Sequence, residues 1–137
     1  MRTLLLVLLP AAVIACDGGP PVKSASGERI EHLSIEESFP TSDEVKETTL
    51  RGDKLRTAIE LMEKHGAFDL KGTFESKAVV ANGTVTLAVK PVGASERRIV
   101  VKSCVHKNVC AFLGEAVEQK LLPRLPVACK STATCDS

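Results

Sequence analysis

Along residues 53–65 (DKLRTAIELMEKH) apolar side chains recur every three or four positions. Leu55, Ala58, Ile59 and Met62 share one face, and Arg56, Glu60, Glu63 and Lys64 the other, the pattern of an amphipathic helix. Asp53 can cap its start, Lys64 and His65 suit the negative end of its dipole, and Gly66 stands ready to end it. Upstream, Thr41-Ser42-Asp43-Glu44 after Pro40 reads as a capping box and predicts a second helix over 42–50. Positions 45, 48, 52, 55, 59 and 62 keep the same spacing, so a single long helix is an alternative, at a cost of about 1 kcal/mol for Gly52 inside it.

After Gly66 the period falls to two. Phe68, Leu70 and Phe74 alternate with Asp69, Lys71, Thr73 and Glu75, as a strand with one buried face does. Residues 77–81 and 84–90 flank Asn82-Gly83, a type I′ hairpin signal. Pro91 to Ser95 makes another turn and Arg97 to Ser103 a further strand, so residues 67–103 predict an antiparallel meander. A closing helix is predicted from Val109 to Leu122, capped by Asn108, with Phe112, Leu113, Ala116, Val117 and Leu121 inward and Pro123 ending it. Residues 29–35 fit strand or helix. The expected fold class is α+β: a small antiparallel sheet of three or four strands packed with N-terminal and C-terminal helices that cover its apolar side.

The N-terminus reads differently. Thr3 to Ala15 (TLLLVLLPAAVIA) is apolar apart from Thr3 and the Pro10 break, which is too short for a membrane span of about 20 residues and fits a signal-peptide core. It ends in Val13-Ile14-Ala15-Cys16, which resembles the lipobox of bacterial lipoproteins. The resemblance covers residues 1–16 and implies cleavage before Cys16, diacylglyceryl attachment to its thiol and acylation of the new amino terminus. Two or three acyl chains hold a membrane stably where one does not. It places the protein in the bacterial cell envelope. Asp17 resembles the residue that keeps enteric lipoproteins in the inner membrane, and the choice between inner and outer membrane stays open.

These readings divide the chain into a signal peptide (1–15), a lipidated cysteine with a flexible tether (16–27) and one α+β domain (28–137) with a disulfide-bonded C-terminal tail. The tether, DGGPPVKSASG after Cys16, is rich in Gly, Pro and Ser, and its eleven residues span roughly 35 Å when extended.

Cys104, Cys110, Cys129 and Cys135 form an even set, which in an oxidising compartment predicts two disulfides. The segment from Arg124 to Ser137 is poor in large apolar residues, which favours bridges from it back to Cys104 and Cys110 over the local loops 104–110 and 129–135. A metal site on Cys104, His106 and Cys110 with His32 or His65 is the sharper alternative. Its spacing departs from the roughly two to four residues between zinc-binding cysteines, so neither metal nor other cofactor is expected.

Lys plus Arg number 18 against 17 Asp plus Glu, and there is no Trp or Tyr; both facts argue against a nucleic-acid partner. Charge is uneven, however: residues 17–76 hold 8 bases and 13 acids, residues 77–137 hold 9 bases and 4 acids. Either the halves pack together, or Arg97, Arg98, Lys102 and Lys107 form a basic patch for a partner. Glu36-Glu37 and Asp43-Glu44 read as a solvated acidic run. No Gly-x-Ser-x-Gly or His-Glu-x-x-His occurs, and the chain is read as a non-enzyme. The expected function is that of an accessory protein anchored to the membrane by lipid and binding a protein partner in a machine such as motility or secretion. The alternative is an envelope ligand-binding or inhibitory module for peptidoglycan, lipopolysaccharide or an envelope enzyme, with Arg97 and Arg98 as anion contacts.

Overall fold

A computed structural model describes residues 20–77 and 82–136. The signal peptide, Cys16, Asp17 and most of the predicted strand 77–81 therefore lie outside the described residues.

The chain runs β1 (Val22–Lys23), β2 (Arg29–Ser38), β3 (Val45–Leu50), α1 (Gly52–Lys64), β4 (Gly72–Glu75), β5 (Thr84–Pro91), β6 (Arg97–Lys102) and α2 (Lys107–Glu118), then a short 3-10 turn at Val127–Lys130. The α+β class holds, but the sheet is larger than expected and mixed. Six strands lie in the order β1-β2-β5-β6-β4, with β3 pairing β2 beyond β1. All neighbours are antiparallel except β4 and β6, which run parallel.

Period-two alternation builds the sheet. Leu33, Ile35 and Glu37 of β2 turn inward, and a register shift between Ile30 and His32 returns Ile30 to the same side. Val85, Leu87 and Val89 of β5 and Ile99 and Val101 of β6 continue that face, and all are buried. Leu55, Ala58, Ile59 and Met62 of α1 and Phe112, Leu113 and Ala116 of α2 join them in one cluster, each large side chain contributing about 1.5–3 kcal/mol by burial. The inner face expected of α1 is observed, with Leu61 added; on α2 Phe112, Leu113 and Ala116 are buried as expected, Val117 is half-buried, and Leu121 is buried beyond the end of the helix.

Both helices end in the same device. Gly66 (φ 71°) follows α1, with Gly66 N–H donating to Glu63 O and Ala67 N–H to Met62 O; Lys120 (φ 64°) follows α2, with Lys120 N–H donating to Val117 O and Leu121 N–H to Ala116 O. Left-handed Lys120 stops α2 at Glu118, short of the expected Leu122. The cap at its start is His106, whose Nδ1 accepts from Val109 N–H, rather than Asn108. Asp53 does not cap α1 either; it lies in the first turn, paired with Arg56 at 3.3 Å.

Four further expectations are corrected. Residues 45–50 form a strand, not a helix: Val45, Thr48 and Thr49 are β-branched, β2 supplies a paired partner, and Gly52 (φ 62°) breaks any continuation into α1. The capping box is instead a turn in which Glu44 N–H donates to Ser42 Oγ. Residues 67–103 are not a simple antiparallel meander, because β4 pairs β6 in parallel and β5 is flanked by β2 and β6 from Thr84 to Val89; the strand expected before Asn82-Gly83 falls mostly on residues 78–81, outside the described residues. Gly83 (φ 107°) fits a close approach, since a Cβ there would lie 3.1 Å from the Ser38 carbonyl oxygen. Lastly, the tether is shorter than 16–27: Val22 and Lys23 pair with Ile30 and Arg29, and Ser24 to Glu28 form a bonded turn.

Candidate functional site

The C-terminal segment organises one end of the molecule. Cys104 pairs with Cys135 and Cys110 with Cys129, with Cα–Cα distances of 4.9 and 5.6 Å. These are nested, long-range bridges from the tail, the class favoured by its poverty in apolar residues. All four sulfurs are thereby closed, so the metal alternative loses its thiolates. His106 is committed to its capping bond, and His65 Nε2 lies 2.8 Å from Glu115 Oε1. Burial lowers the His106 pKa from its ordinary value of 6.5, which keeps the ring neutral and able to accept at Nδ1. Among the described residues no cluster of three or more His, Cys, Asp or Glu is arranged to hold a metal.

The segment makes polar contacts at both sides of the sheet. Toward β3, the buried Glu37 accepts Val127 N–H at 2.7 Å and pairs with Arg124 at 3.2 Å. Toward β4, Asp136 N–H donates to Glu75 O at 3.0 Å, Asp136 Oδ2 accepts Lys77 N–H at 2.7 Å, and Val105 bonds to both Ala133 and Cys135. Glu37 is therefore not part of the solvated acidic run that the sequence suggests. The alternation Leu33-x-Ile35-x-Glu37 was the signal that it faces inward.

The basic stretch is split by the same alternation. Arg97 lies on the inner side, its guanidinium 4.9 Å from the Phe68 ring centre, donating to Phe68 O at 3.0 Å and pairing with Glu28 at 3.5 Å. Arg98 and Lys102 lie on the opposite, helix-free face, with Arg98 paired to Glu96 at 2.9 Å. Lys107 begins α2. The four residues do not meet on one surface. The charge asymmetry between the halves is instead taken up in part by contacts between them, Glu28–Arg97 and Glu37–Arg124, while Lys64–Glu115 crosses the halves with the opposite polarity. Hydrogen bonds from His65 and then Lys64 hold the Glu115 carboxyl below the usual carboxylate range.

Two clefts among the described residues bear on a binding site. One, of about 50 Å³, lies where β2 and β3 meet the C-terminal segment and is lined by Ile35, Lys46, Thr48, Leu122 and Pro126 with Glu37 and Arg124 at its side. The other, of about 240 Å³, lies between the turn after β1 and the end of α1, beside Ser26, Glu63 and Phe68. Small-molecule sites are usually about 300–1,000 Å³, so both clefts fall below that range and the first has room for one small side chain. Compared with models of protein families, with curated proteins and with solved structures, the chain matches none.

Proposed function

We propose that the protein is a lipid-anchored accessory protein of the bacterial cell envelope, which binds a protein partner in a membrane or surface machine and carries out no chemistry itself. The carrying observation is the cysteine arrangement. Of five cysteines, four close into two disulfides within the folded domain, and the fifth, Cys16, ends the lipobox-like run. Disulfides fit an oxidising, exported compartment, and the remaining thiol stands where lipid is attached.

The shortened tether adds to this reading. Only residues 17–21 separate Cys16 from β1, a reach of roughly 17 Å at about 3.3 Å per residue. An anchored domain on so short a link works beside the bilayer, against partners held there. The small clefts favour a protein surface over a small ligand.

The intact mass of protein from the native membrane tests the anchor. A chain beginning at Cys16 and carrying diacylglyceryl and N-acyl mass is expected, with Cys16→Ser leaving the precursor uncleaved or the protein released. A processed, membrane-associated form with no lipid mass overturns the anchor. Crosslinking in intact cells then tests the role: a stoichiometric protein partner is expected, and recovery of the protein alone argues for the ligand-binding alternative.

A further inference from the structure

The edge formed by β3 combines three features. Its six residues pair with β2 on one side and with no strand on the other among the described residues. Val45, Lys46, Glu47 and Thr49 are exposed, and Val45, at 55 % exposure, is the most exposed large apolar side chain of the described residues. Such an edge presents a row of unpaired backbone donors and acceptors, about 20 Å long at about 3.3 Å per residue.

The second feature is the small cleft at this edge, which Lys46 and Thr48 border from β3 and Ile35, Leu122 and Pro126 complete. A strand laid along β3 would point alternate side chains toward it. The third is electrostatic. Glu47 stands directly opposite Glu36 in the ladder, a like-charge arrangement that destabilises a sheet, and neither has an ion-pair partner among the described residues. Around them, residues 36–47 carry Glu36, Glu37, Asp43, Glu44 and Glu47 against the single base Lys46.

We propose that β3 is a docking edge that takes an extended segment of the protein partner by strand addition, with basic side chains on the Glu36–Glu47 face and small apolar ones toward the cleft. Main-chain bonds supply affinity in this mode and alternate side chains supply specificity. A Lys or Arg beside Glu47 neutralises the opposed carboxylates, and a small aliphatic group fits a cleft of about 50 Å³. A second copy of the chain fits worse. Antiparallel self-pairing that keeps the two sheet faces aligned centres on a residue, which places Lys46 on Lys46 or Glu47 on Glu47, or, one step on, Lys46 against the buried Leu50.

The proposal rests on the partner-binding reading and is tested separately from the anchor, because the probe is a peptide and the readout is the edge itself. Purified mature protein, lipidated or not, is titrated with a capped octapeptide alternating Val and Lys, while backbone amide shifts are followed by NMR. Saturable binding is expected, with shift changes centred on Val45–Leu50 and their β2 partners. Glu47→Lys should weaken it about tenfold, since a cross-strand attraction becomes a repulsion. Glu60→Lys, the same charge change on the outer face of α1, should leave it unaltered. A peptide alternating Val and Glu, and one of unchanged charge interrupted by proline, should both fail to bind. Equal binding of either control peptide, equal loss in Glu60→Lys, shifts centred elsewhere, or a concentration-dependent dimer pairing through β3 would overturn the proposal.

Discussion

The two edges of the sheet are finished differently, although one C-terminal segment reaches both. At β4 the edge is only four residues long, and its end is pinned by the tail: Asp136 bonds to Glu75 and Lys77, and Cys135 is joined to the buried Cys104. At β3 the edge is six residues long and exposed, and the segment touches the hairpin from the inner side, through Glu37, without pairing along the strand. Proteins commonly blunt an edge by shortness, covering or charge. The β4 edge has the first two. The β3 edge has charge alone, and that charge is arranged with two carboxylates opposed. The difference separates an edge closed for stability from one left available.

The largest expected effect comes from breaking the β4 side. Replacing Cys104 and Cys135 together by Ala should cost about 2–4 kcal/mol, because the bridge constrains a long loop in the unfolded chain, here with a sequence separation of 31. Urea unfolding measures the loss. Amide exchange should quicken at Val105, Cys135 and Asp136, whose bonds the bridge holds in place, while β3 exchanges as before. Equal quickening at β3 would show that the two edges are one cooperative unit.

Next in size is Glu37→Ala, which severs the segment from the β3 side without touching the disulfides. Val127 N–H loses its carboxylate acceptor and Arg124 its counter-charge. Leaving a buried donor unsatisfied costs about 1–3 kcal/mol, and because Val127 is half-buried the loss should lie toward the lower end, about 1 kcal/mol. The midpoint of urea unfolding should fall accordingly, and the cleft at β3 should widen. A change under about 0.5 kcal/mol, the usual range for solvated surface sites, would mean that Glu37 is no clamp.

The sequence disclosed these two sides unequally, for physical reasons. Local signals were legible: the inner faces of both helices, Gly66 as the stop of α1, the strands at β5 and β6, and the preference for long-range disulfides all follow from periodicity or composition within a short window. What stayed hidden depends on distant partners. Val45 to Leu50 carries a helical spacing of apolar residues by coincidence and is a strand because β2 pairs with it over a six-residue loop. The parallel match of β4 to β6 leaves no local trace. The basic stretch was legible as composition, yet the alternation that splits Arg97 from Arg98 matters only once the chain is known to be a strand there.

Contacts between the helices belong to neither edge and provide an internal reference through pH. His65 and Lys64 hold Glu115 ionised to lower pH than an ordinary carboxyl of pKa 4.5. A carboxyl whose folded pKa is depressed contributes stability in full above its unfolded pKa and loses it as pH falls through the folded value. Glu115→Gln removes this contribution. The gap in stability between the native chain and this variant should be constant near neutrality and shrink as the pH drops below the usual carboxylate range. His106 adds a separate fall beginning higher: its pKa is lowered from 6.5 by burial, so the unfolded chain binds the proton first and stability declines as pH drops below about 6.5. His106→Asn, which keeps a side-chain acceptor at the cap, should flatten that upper part of the curve and leave the lower part. A lower part flattened equally would place its origin outside Glu115.

The smallest expected change sharpens the comparison where the shared segment begins. Lys120 is the first residue beyond the C-cap of α2 and carries a left-handed φ of 64°, at a position where its counterpart after α1 is Gly66. Left-handed backbone costs an L-residue with a Cβ roughly 1–2 kcal/mol, and glycine removes that cost while adding freedom to the unfolded chain. Lys120 is exposed. Lys120→Gly should therefore raise stability by about 0.5–1 kcal/mol, seen as a higher urea midpoint with an unchanged slope. Lys120→Ala keeps the Cβ and should give no gain. If the exit angle of the segment is what lets it reach both edges, relaxing this residue should also slow amide exchange at Val127 and at Asp136 together. A gain confined to one of them would mean that the two edges are held independently, each by its own contacts.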